Sequence, residues 1–275
     1  MTQIAGSTVL ITGGGMGIGR LMALKMAARG ARVVLWDINP QALERVREEL
    51  SRSGRTVWAY QCDVSDRKAV YATAERTLEE AGPVHILINN AGVVSGKSLL
   101  SCSDEQIERT FAVNTLALFW TTRAFLPAMV RQGRGHLVTI ASAAGLYAPP
   151  GLVDYAASKF AAFGFDEALR GEIRKHRLPL KTTVVCPFYI DTGMFAGVKT
   201  KWPRLLPILE EGYAAERIVR AIARDRPRLY MPPIVYTVPA LRLLPVAVMD
   251  WVARLLGVTD TMDEFRGRQA GEDQP

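Results

Sequence analysis

Short runs of apolar, often β-branched residues alternate along the chain with longer segments whose apolar residues recur every three to four positions. The short runs predict strands at 8–11, 32–36, 56–61, 86–88, 136–140, 182–185 and 229–231. The longer segments predict helices up to residue 29, at 40–51, 66–80, 154–175 and 214–223, and one long helix after Ser103. Because continuously apolar strands alternate with helices, we expect an α/β fold with a doubly wound parallel sheet.

Capping signals mark two of the predicted helix starts. Asn39 precedes Pro40, which is the pattern of an N-cap followed by proline at the first helical position. Ser103 and Gln106 have the spacing of a capping box.

The pattern predicts a single domain over residues 1–265, followed by a polar tail at 266–275. The segment 192–213 has weak periodicity and follows the sixth strand, so we interpret it as a substrate lid rather than a passive connector. The apolar segment 232–257 contains four prolines and three charges, which argues against a membrane-spanning helix. A helix within it is expected to cover a pocket or join a subunit interface, with contact to a membrane surface as an alternative.

Composition changes this picture little. Of 275 residues 49% are hydrophobic, and the net charge is +7. A basic protein can bind nucleic acid or an anionic membrane, but the cations are dispersed, so we favour an enzyme with an anionic cofactor and expect no nucleic acid. The three cysteines form no CxxC pair, and no metal site is expected. Without a secretory signal, the expected location is the cytoplasm.

A glycine-rich turn follows the first predicted strand and opens the first helix, running from Thr12 to Gly19. Glycines allow a tight turn and a close approach of backbone N–H groups to a pyrophosphate, which the helix N-terminus also attracts. The turn therefore predicts a dinucleotide site of the Rossmann type.

Asp37 ends the second predicted strand, 18 residues after Gly19. A carboxylate here accepts both ribose hydroxyls of an adenosine and repels a 2′-phosphate, so NAD is expected over NADP. Asp37 is alternatively a simple helix-entry residue. Arg20 and Arg45 nearby keep NADP as the lesser alternative.

Tyr155 and Lys159 are four positions apart on a predicted helix and share one face. An ammonium group near a phenol lowers the phenol's pKa toward a range useful for acid–base chemistry, and the lysine can also reach a ribose. Such a pair alone is usually a surface coincidence. Ser142, directly after the fifth predicted strand, provides a hydroxyl to hold a substrate oxygen beside the phenol.

Asn114 lies inside the long helix after Ser103, where asparagine is a mediocre helix former. It is either a buried amide bonded to the backbone or the mark of a distorted turn whose carbonyl holds a proton-relay water.

These residues occur with further motifs in one order along the chain. The set is Thr12 to Gly19, Asp63-Val64, Asn89 to Gly92, Asn114, Ser142, Tyr155 to Lys159, and Pro187 to Thr192. From about residue 7 to residue 256 the chain resembles the short-chain dehydrogenase/reductase family. The resemblance implies an oxidoreductase that uses a nicotinamide cofactor and forms a homodimer or homotetramer.

The resemblance also implies residue roles. Tyr155 would be the acid/base at the substrate oxygen, which Ser142 polarises, while Lys159 tunes the phenol and binds ribose. Asn114 would support the proton relay. Asp63 and Val64 would contact adenine, Asn90 would line the cofactor channel, and Pro187, Ile190 and Thr192 would hold the nicotinamide. The residues expected at the cofactor are Gly13, Gly15, Met16, Gly17, Ile18, Gly19, Asp37, Ile38, Asp63, Val64, Asn90, Ala91, Gly92, Tyr155, Lys159, Pro187, Ile190 and Thr192.

Phe188 departs from the family, which often has glycine after this proline. We interpret it as a specificity element of an apolar substrate pocket; plain packing is the alternative. The expected wall consists of Val94, Leu146, Tyr147, Leu152, Phe188, Met194, Phe195 and Trp202.

Longer strings, such as Val34 to Asn39 and Phe119 to Met129, resemble the retinol dehydrogenase and 17-beta-hydroxysteroid dehydrogenase branch, including the epidermal retinol dehydrogenase. They imply NAD-dependent hydride transfer to or from a bulky lipophilic alcohol, retinoid-like or steroid-like. A 3-oxoacyl or small-ketone reductase with the same four residues is one alternative. A dinucleotide-sensing interaction protein on the same fold is another.

Overall fold

The computed structural model describes residues 1–268, so most of the predicted polar tail lies outside the described residues. Within this range seven strands form one parallel sheet in the order β3-β2-β1-β4-β5-β6-β7. The strands are β1 (Thr8–Thr12), β2 (Arg32–Asp37), β3 (Val57–Gln61), β4 (Ile86–Asn89), β5 (Gly135–Ile140), β6 (Leu180–Pro187) and β7 (Arg228–Met231). The predicted doubly wound α/β fold is confirmed.

The helices cover both faces of this sheet. They are α1 (Gly17–Ala28), α2 (Pro40–Arg52), α3 (Arg67–Glu80), α4 (Asp104–Phe111), α5 (Ala117–Arg131), α6 (Val153–Lys175), α7 (Glu211–Ala223), α8 (Val238–Leu241) and α9 (Val246–Leu255). No helix among the described residues is long and apolar enough to cross a membrane.

Alternate residues of each strand supply the two cores. Val9 and Ile11 of β1 pack with α1, α2 and α7 on one face, while Leu10 packs with α3, α5 and α6 on the other. This two-sided burial explains why the strands are apolar throughout rather than alternating.

The predicted N-terminal caps are confirmed. The Asn39 side chain accepts the N–H of Ala42, and Ser103 and Gln106 form a reciprocal capping box.

The long helix predicted after Ser103 is not continuous. It is α4 and α5 joined by a π-helical turn, Ala112–Leu116, with Asn114 at its centre. The apolar pattern continues through this turn, so periodicity alone does not reveal the break.

The sheet order reverses between β1 and β4, and a cleft opens beyond the carboxyl ends of these strands. This is where open α/β sheets bind ligands.

Candidate active site

The glycine-rich turn after β1 has a conformation that requires glycine. Gly13 and Gly17 have φ angles of +64° and +51°. A Cβ at Gly19 would collide with the carbonyl oxygen of Gly13. The Asn90 amide donates to the carbonyls of Thr12 and Gly13, each at 3.0 Å, and so braces the turn from β4.

Asp37 borders the cleft beside the glycine-rich turn. Its carboxylate accepts the N–H of Gly15 at 2.9 Å and that of Asn39 at 3.0 Å. The same carboxylate lines the cleft. Asp37 thus organises the entry to α2 and also presents charge to the cleft, which combines the two interpretations of this residue. Gly15 does not line the cleft; its N–H positions Asp37.

Two chain segments bring Ser142, Tyr155 and Lys159 together. Ser142 follows β5, where its hydroxyl accepts the N–H of Ala144 at 3.1 Å, and the other two residues lie one turn apart on α6. All three side chains are buried but line the cleft. Lys159 Nζ lies 5.6 Å from the centre of the Tyr155 ring and donates to the carbonyl of Ile140 at 2.9 Å.

The electrostatics of this group differ from the sequence-based expectation. Burial raises the pKa of the Tyr155 phenol above its ordinary value, and the neighbouring Ser142 hydroxyl opposes this shift. Burial lowers the pKa of Lys159 to about 8. The buried Lys159 ammonium therefore gives up its proton more readily than an exposed lysine does, and the Ser142 hydroxyl is a neighbour that lowers the phenol's pKa.

Asn114 is buried at the π-helical turn. Its side chain accepts the N–H of Val93 and donates to the Val93 carbonyl, both at 2.9 Å. It also donates at 2.9 Å to Ser158, whose hydroxyl donates to the carbonyl of Tyr155 at 2.7 Å. A backbone-bonded amide and a distorted turn are thus both present. The proton-relay role stays a prediction.

Asp154, which sequence reasoning missed, fixes the start of α6. Its carboxylate accepts hydrogen bonds from Ser95 at 2.7 Å and Thr110 at 2.8 Å. These contacts tie the turn that carries Tyr155 to the loop after β4 and to α4. No local pattern indicates this role of Asp154, because its hydrogen-bond partners lie 44 and 59 residues away along the chain.

The cleft has a volume of about 450 Å³ and contains the residues expected at the cofactor, apart from Gly15. Of the expected substrate wall, Tyr147, Leu152, Phe188, Met194 and Phe195 line it. Phe195 packs edge-on against Tyr155, with ring centres 5.6 Å apart.

Three residues of the expected wall lie elsewhere. Leu146 is buried in a core cluster with Val184 and does not line the cleft. Val94 packs against the cluster around Tyr189 instead of facing the cavity. Trp202 is 49% exposed, and its indole N–H donates to the carbonyl of Leu255 rather than lying in the cleft.

The C-terminal segment supplies wall residues that the sequence did not specify. Met249, Val252, Ala253 and Leu256 of α9 and its end line the cleft. The expectation that this segment covers the pocket therefore agrees with the structure.

Arg268 is a further residue that sequence reasoning missed. Its guanidinium donates to the carbonyl of Thr192 at 2.9 Å, contacts the Met16 sulfur and lines the cleft beside the glycine turn. The preceding residues, Arg266 and Gly267, donate backbone N–H groups to the Ala196 carbonyl. No local pattern predicts such a long-range contact.

A family model described as short chain dehydrogenase matches residues 7–202. The chain is a short-chain dehydrogenase. Among its relatives, the human epidermal retinol dehydrogenase 2 is 49% identical over 96% of this chain and 86% of the human protein. Retinol dehydrogenase 10 of Xenopus tropicalis is 43% identical over 96% of this chain and 86% of the frog protein. The family and branch resemblance is confirmed.

Solved short-chain dehydrogenases share the fold. A Burkholderia phymatum enzyme in complex with NAD aligns with a TM-score of 0.80 and 31% identity, over 88% of this chain and 95% of that one. A metagenomic short-chain oxidoreductase in complex with NADP aligns with a TM-score of 0.69 and 28% identity, over 84% and 97%. As a short-chain dehydrogenase, the chain is an oxidoreductase with a small-molecule substrate.

Proposed function

We propose that this short-chain dehydrogenase transfers a hydride between NAD(H) and a bulky lipophilic alcohol or its carbonyl, retinoid-like or steroid-like. The observation that carries the proposal is the continuous cleft. It runs from Asp37 past the glycine turn to Tyr155 and ends in apolar side chains of α9. The names of the retinol dehydrogenase relatives support the substrate class.

The residues present fit a dinucleotide. Gly19 has no room for a Cβ, and Gly13 has a positive φ. Backbone rather than side chains therefore lines the cleft where a pyrophosphate would lie. Gly13, Gly17 and Ile18 would hold the phosphates, with the cationic Arg268 beside the glycine turn, and Thr192 would hold the nicotinamide. When bound, the cofactor would supply a hydride as NADH in carbonyl reduction and accept one as NAD⁺ in alcohol oxidation.

Asp37 supports NAD over NADP, because a 2′-phosphate at this position would face the carboxylate. Arg20 is bonded through two nitrogens to Glu49, at 2.9 and 2.8 Å. One of the two cations that could receive such a phosphate is therefore engaged elsewhere.

The proton would move between the Tyr155 hydroxyl and the substrate oxygen, which Ser142 orients. Burial keeps the phenol protonated at neutral pH, the form that donates to a carbonyl oxygen during reduction. Alcohol oxidation needs the phenolate, toward which the neighbouring Ser142 hydroxyl lowers the pKa of Tyr155. Lys159 supplies positive charge behind the phenol, and Asn114 holds the α6 turn in place.

Apolar side chains exposed on the surface support association into a homodimer or homotetramer. Phe119 of α5 is 43% exposed and packs edge-on with Phe165 of α6, and Leu116 and Val153 are similarly exposed. A cytoplasmic location agrees with the free thiols of Cys62, Cys102 and Cys186.

A substrate panel tests the proposal. Retinol, steroids, acetoacetyl thioesters and small ketones are assayed with NADH or NAD⁺ and with NADPH or NADP⁺. The proposal expects the highest kcat/KM for a lipophilic alcohol with NAD⁺ or its carbonyl with NADH. Preference for thioesters or small ketones would support the reductase alternative, and tight NADH binding without turnover would support a sensing role.

A further inference from the structure

Helix α9 has two apolar faces, and only one of them is packed. Met249, Val252 and Leu256 line the cleft. Val248, Trp251 and Leu255 recur at the i, i+3, i+7 spacing of a second stripe and are 41%, 61% and 50% exposed. An amphipathic helix normally has one apolar stripe, which packs against the core. The second stripe of α9 is exposed to water, so we expect it to contact another apolar surface.

The exposed stripe continues into neighbouring segments. The indole N–H of Trp202 donates to the carbonyl of Leu255 at 3.2 Å, which joins the substrate loop to the end of α9. Together these side chains form what we call the docking patch: Trp202, Leu205, Leu243, Leu244, Val246, Val248, Trp251 and Leu255, all exposed. Exposed apolar side chains clustered in neighbouring segments often mark a protein or membrane contact.

The border of the docking patch is cationic. Lys201, Arg204 and Arg254 are exposed within or beside the segments that form it, whereas Asp250 is the acidic residue between Leu243 and Leu255. Lys201 Nζ lies 6.0 Å from the centre of the Trp202 ring, so apolar and cationic groups are interleaved. Aromatic residues beside lysine and arginine are the side chains that favour a lipid headgroup region.

We propose that the docking patch binds the surface of an anionic phospholipid bilayer, so that a lipophilic substrate passes from the lipid around α9 into the cleft. Helix α9 would contact the lipid with one face, and its other face lines the cleft. The lipid and the cleft would thus be separated by this helix. The substrate route rests on the proposed function, whereas the docking itself does not.

A second copy of this chain is the competing occupant. A two-fold symmetric contact through this patch would bring the same cations of two subunits together, and like charges at an interface are unfavourable. Anionic headgroups neutralise those cations instead.

Vesicle co-sedimentation tests the docking without any substrate. The full chain with NADH is mixed with phosphatidylcholine vesicles or with vesicles that also contain phosphatidylserine. We expect binding about tenfold tighter to the anionic vesicles, weakened by added salt. The double variant Trp251→Ser/Leu255→Ser should lose this binding, while Tyr213→Ser, an exposed aromatic change on α7 outside the patch, should not.

Two results overturn the docking proposal. One is wild-type protein that stays in solution with every vesicle composition. The other is a double variant that binds vesicles normally but changes the oligomeric state by gel filtration, which would assign the patch to a second copy. NADH affinity equal to wild type shows that each variant is folded.

The two proposals fail separately. Vesicle binding without turnover of any lipophilic alcohol leaves the docking intact and contradicts the proposed substrate class. Turnover of lipophilic alcohols that is unaffected by the double variant, with the substrate supplied in vesicles, contradicts the entry route alone. A water-soluble short-chain alcohol is the matched control, because its turnover does not depend on lipid contact.

Discussion

The two ends of the cleft are built in different ways. At the glycine turn the surface is backbone, held by specific hydrogen bonds such as those from Asn90 and to Asp37. At the other end the wall is apolar side chains from distant parts of the chain, including Phe188 and Met249.

This difference decides how each end tolerates change. Where the backbone has a positive φ, or where a carbonyl leaves no room for a Cβ, glycine is the residue that fits. An apolar wall accepts many side chains of similar volume. We therefore expect substitutions at the cofactor end to act on binding as a whole, and substitutions at the substrate end to change selectivity by degrees.

The largest effect is expected at the junction of the two ends. Tyr155→Phe removes the hydroxyl that exchanges the proton and should lower kcat by roughly 10²- to 10⁴-fold. NADH affinity, measured by fluorescence titration, should stay within about twofold because the ring is retained. Retained turnover would refute the assigned role.

Gly19→Ala tests the backbone rule at the cofactor end. Its Cβ would collide with the Gly13 carbonyl, so NADH affinity should fall by more than about tenfold and Tm should drop. Gly171→Ala on α6 is the matched control, since a Cβ there has open space. That change should preserve NADH binding and stabilise the fold by about 0.5–1 kcal/mol. Equal behaviour of the two variants would contradict the rule.

The pH dependence of reduction probes the charge behind the phenol. With a pKa of about 8, Lys159 carries its positive charge below that pH and loses it above. The kcat/KM for carbonyl reduction should therefore be level below about pH 8 and fall about tenfold per pH unit above it, because a neutral amine no longer stabilises the negative charge that develops on the Tyr155 phenol as it donates its proton. A profile that stays flat to pH 10 would exclude Lys159 as the controlling group.

Asp37→Ser tests discrimination between cofactors. Loss of the carboxylate removes repulsion of a 2′-phosphate and an acceptor for Gly15 and Asn39. The ratio of kcat/KM with NADH to that with NADPH should fall by about tenfold. An unchanged ratio would leave Asp37 with its helix-entry role alone.

The smallest effect is expected at the apolar wall. Met249→Ala enlarges the cleft and should raise KM for a bulky alcohol by about fivefold while leaving NADH affinity unchanged. A small ketone is the comparison substrate: because it does not fill the cleft, its KM should depend little on Met249. A parallel loss of NADH affinity would show that α9 supports both ends of the cleft.

The same contrast explains what the sequence could predict. The strands, most helices, the glycine turn and the Ser142, Tyr155 and Lys159 group depend on local spacing and on position at the end of a strand, so they were recognised. Arg268 and Met249 reach the cleft only through the folding of the C-terminal segment over it, which no periodicity encodes. The burial that dominates the pKa of Tyr155 is likewise a property of the packed structure.

The π-helical turn at Ala112–Leu116 constrains which insertions and deletions this enzyme can inherit. A π-helical turn arises when one residue is added to an α-helix, so deleting one residue there would restore a regular helix. Because the wider turn absorbs the extra residue, α5 would keep nearly the same face toward the sheet after the deletion. Phe125 and Met129 would stay buried against the sheet, whereas Asn114 would lose the widened turn from which its side chain bonds to Val93 and Ser158. Natural variation in chain length should therefore accumulate in the loops and spare this turn.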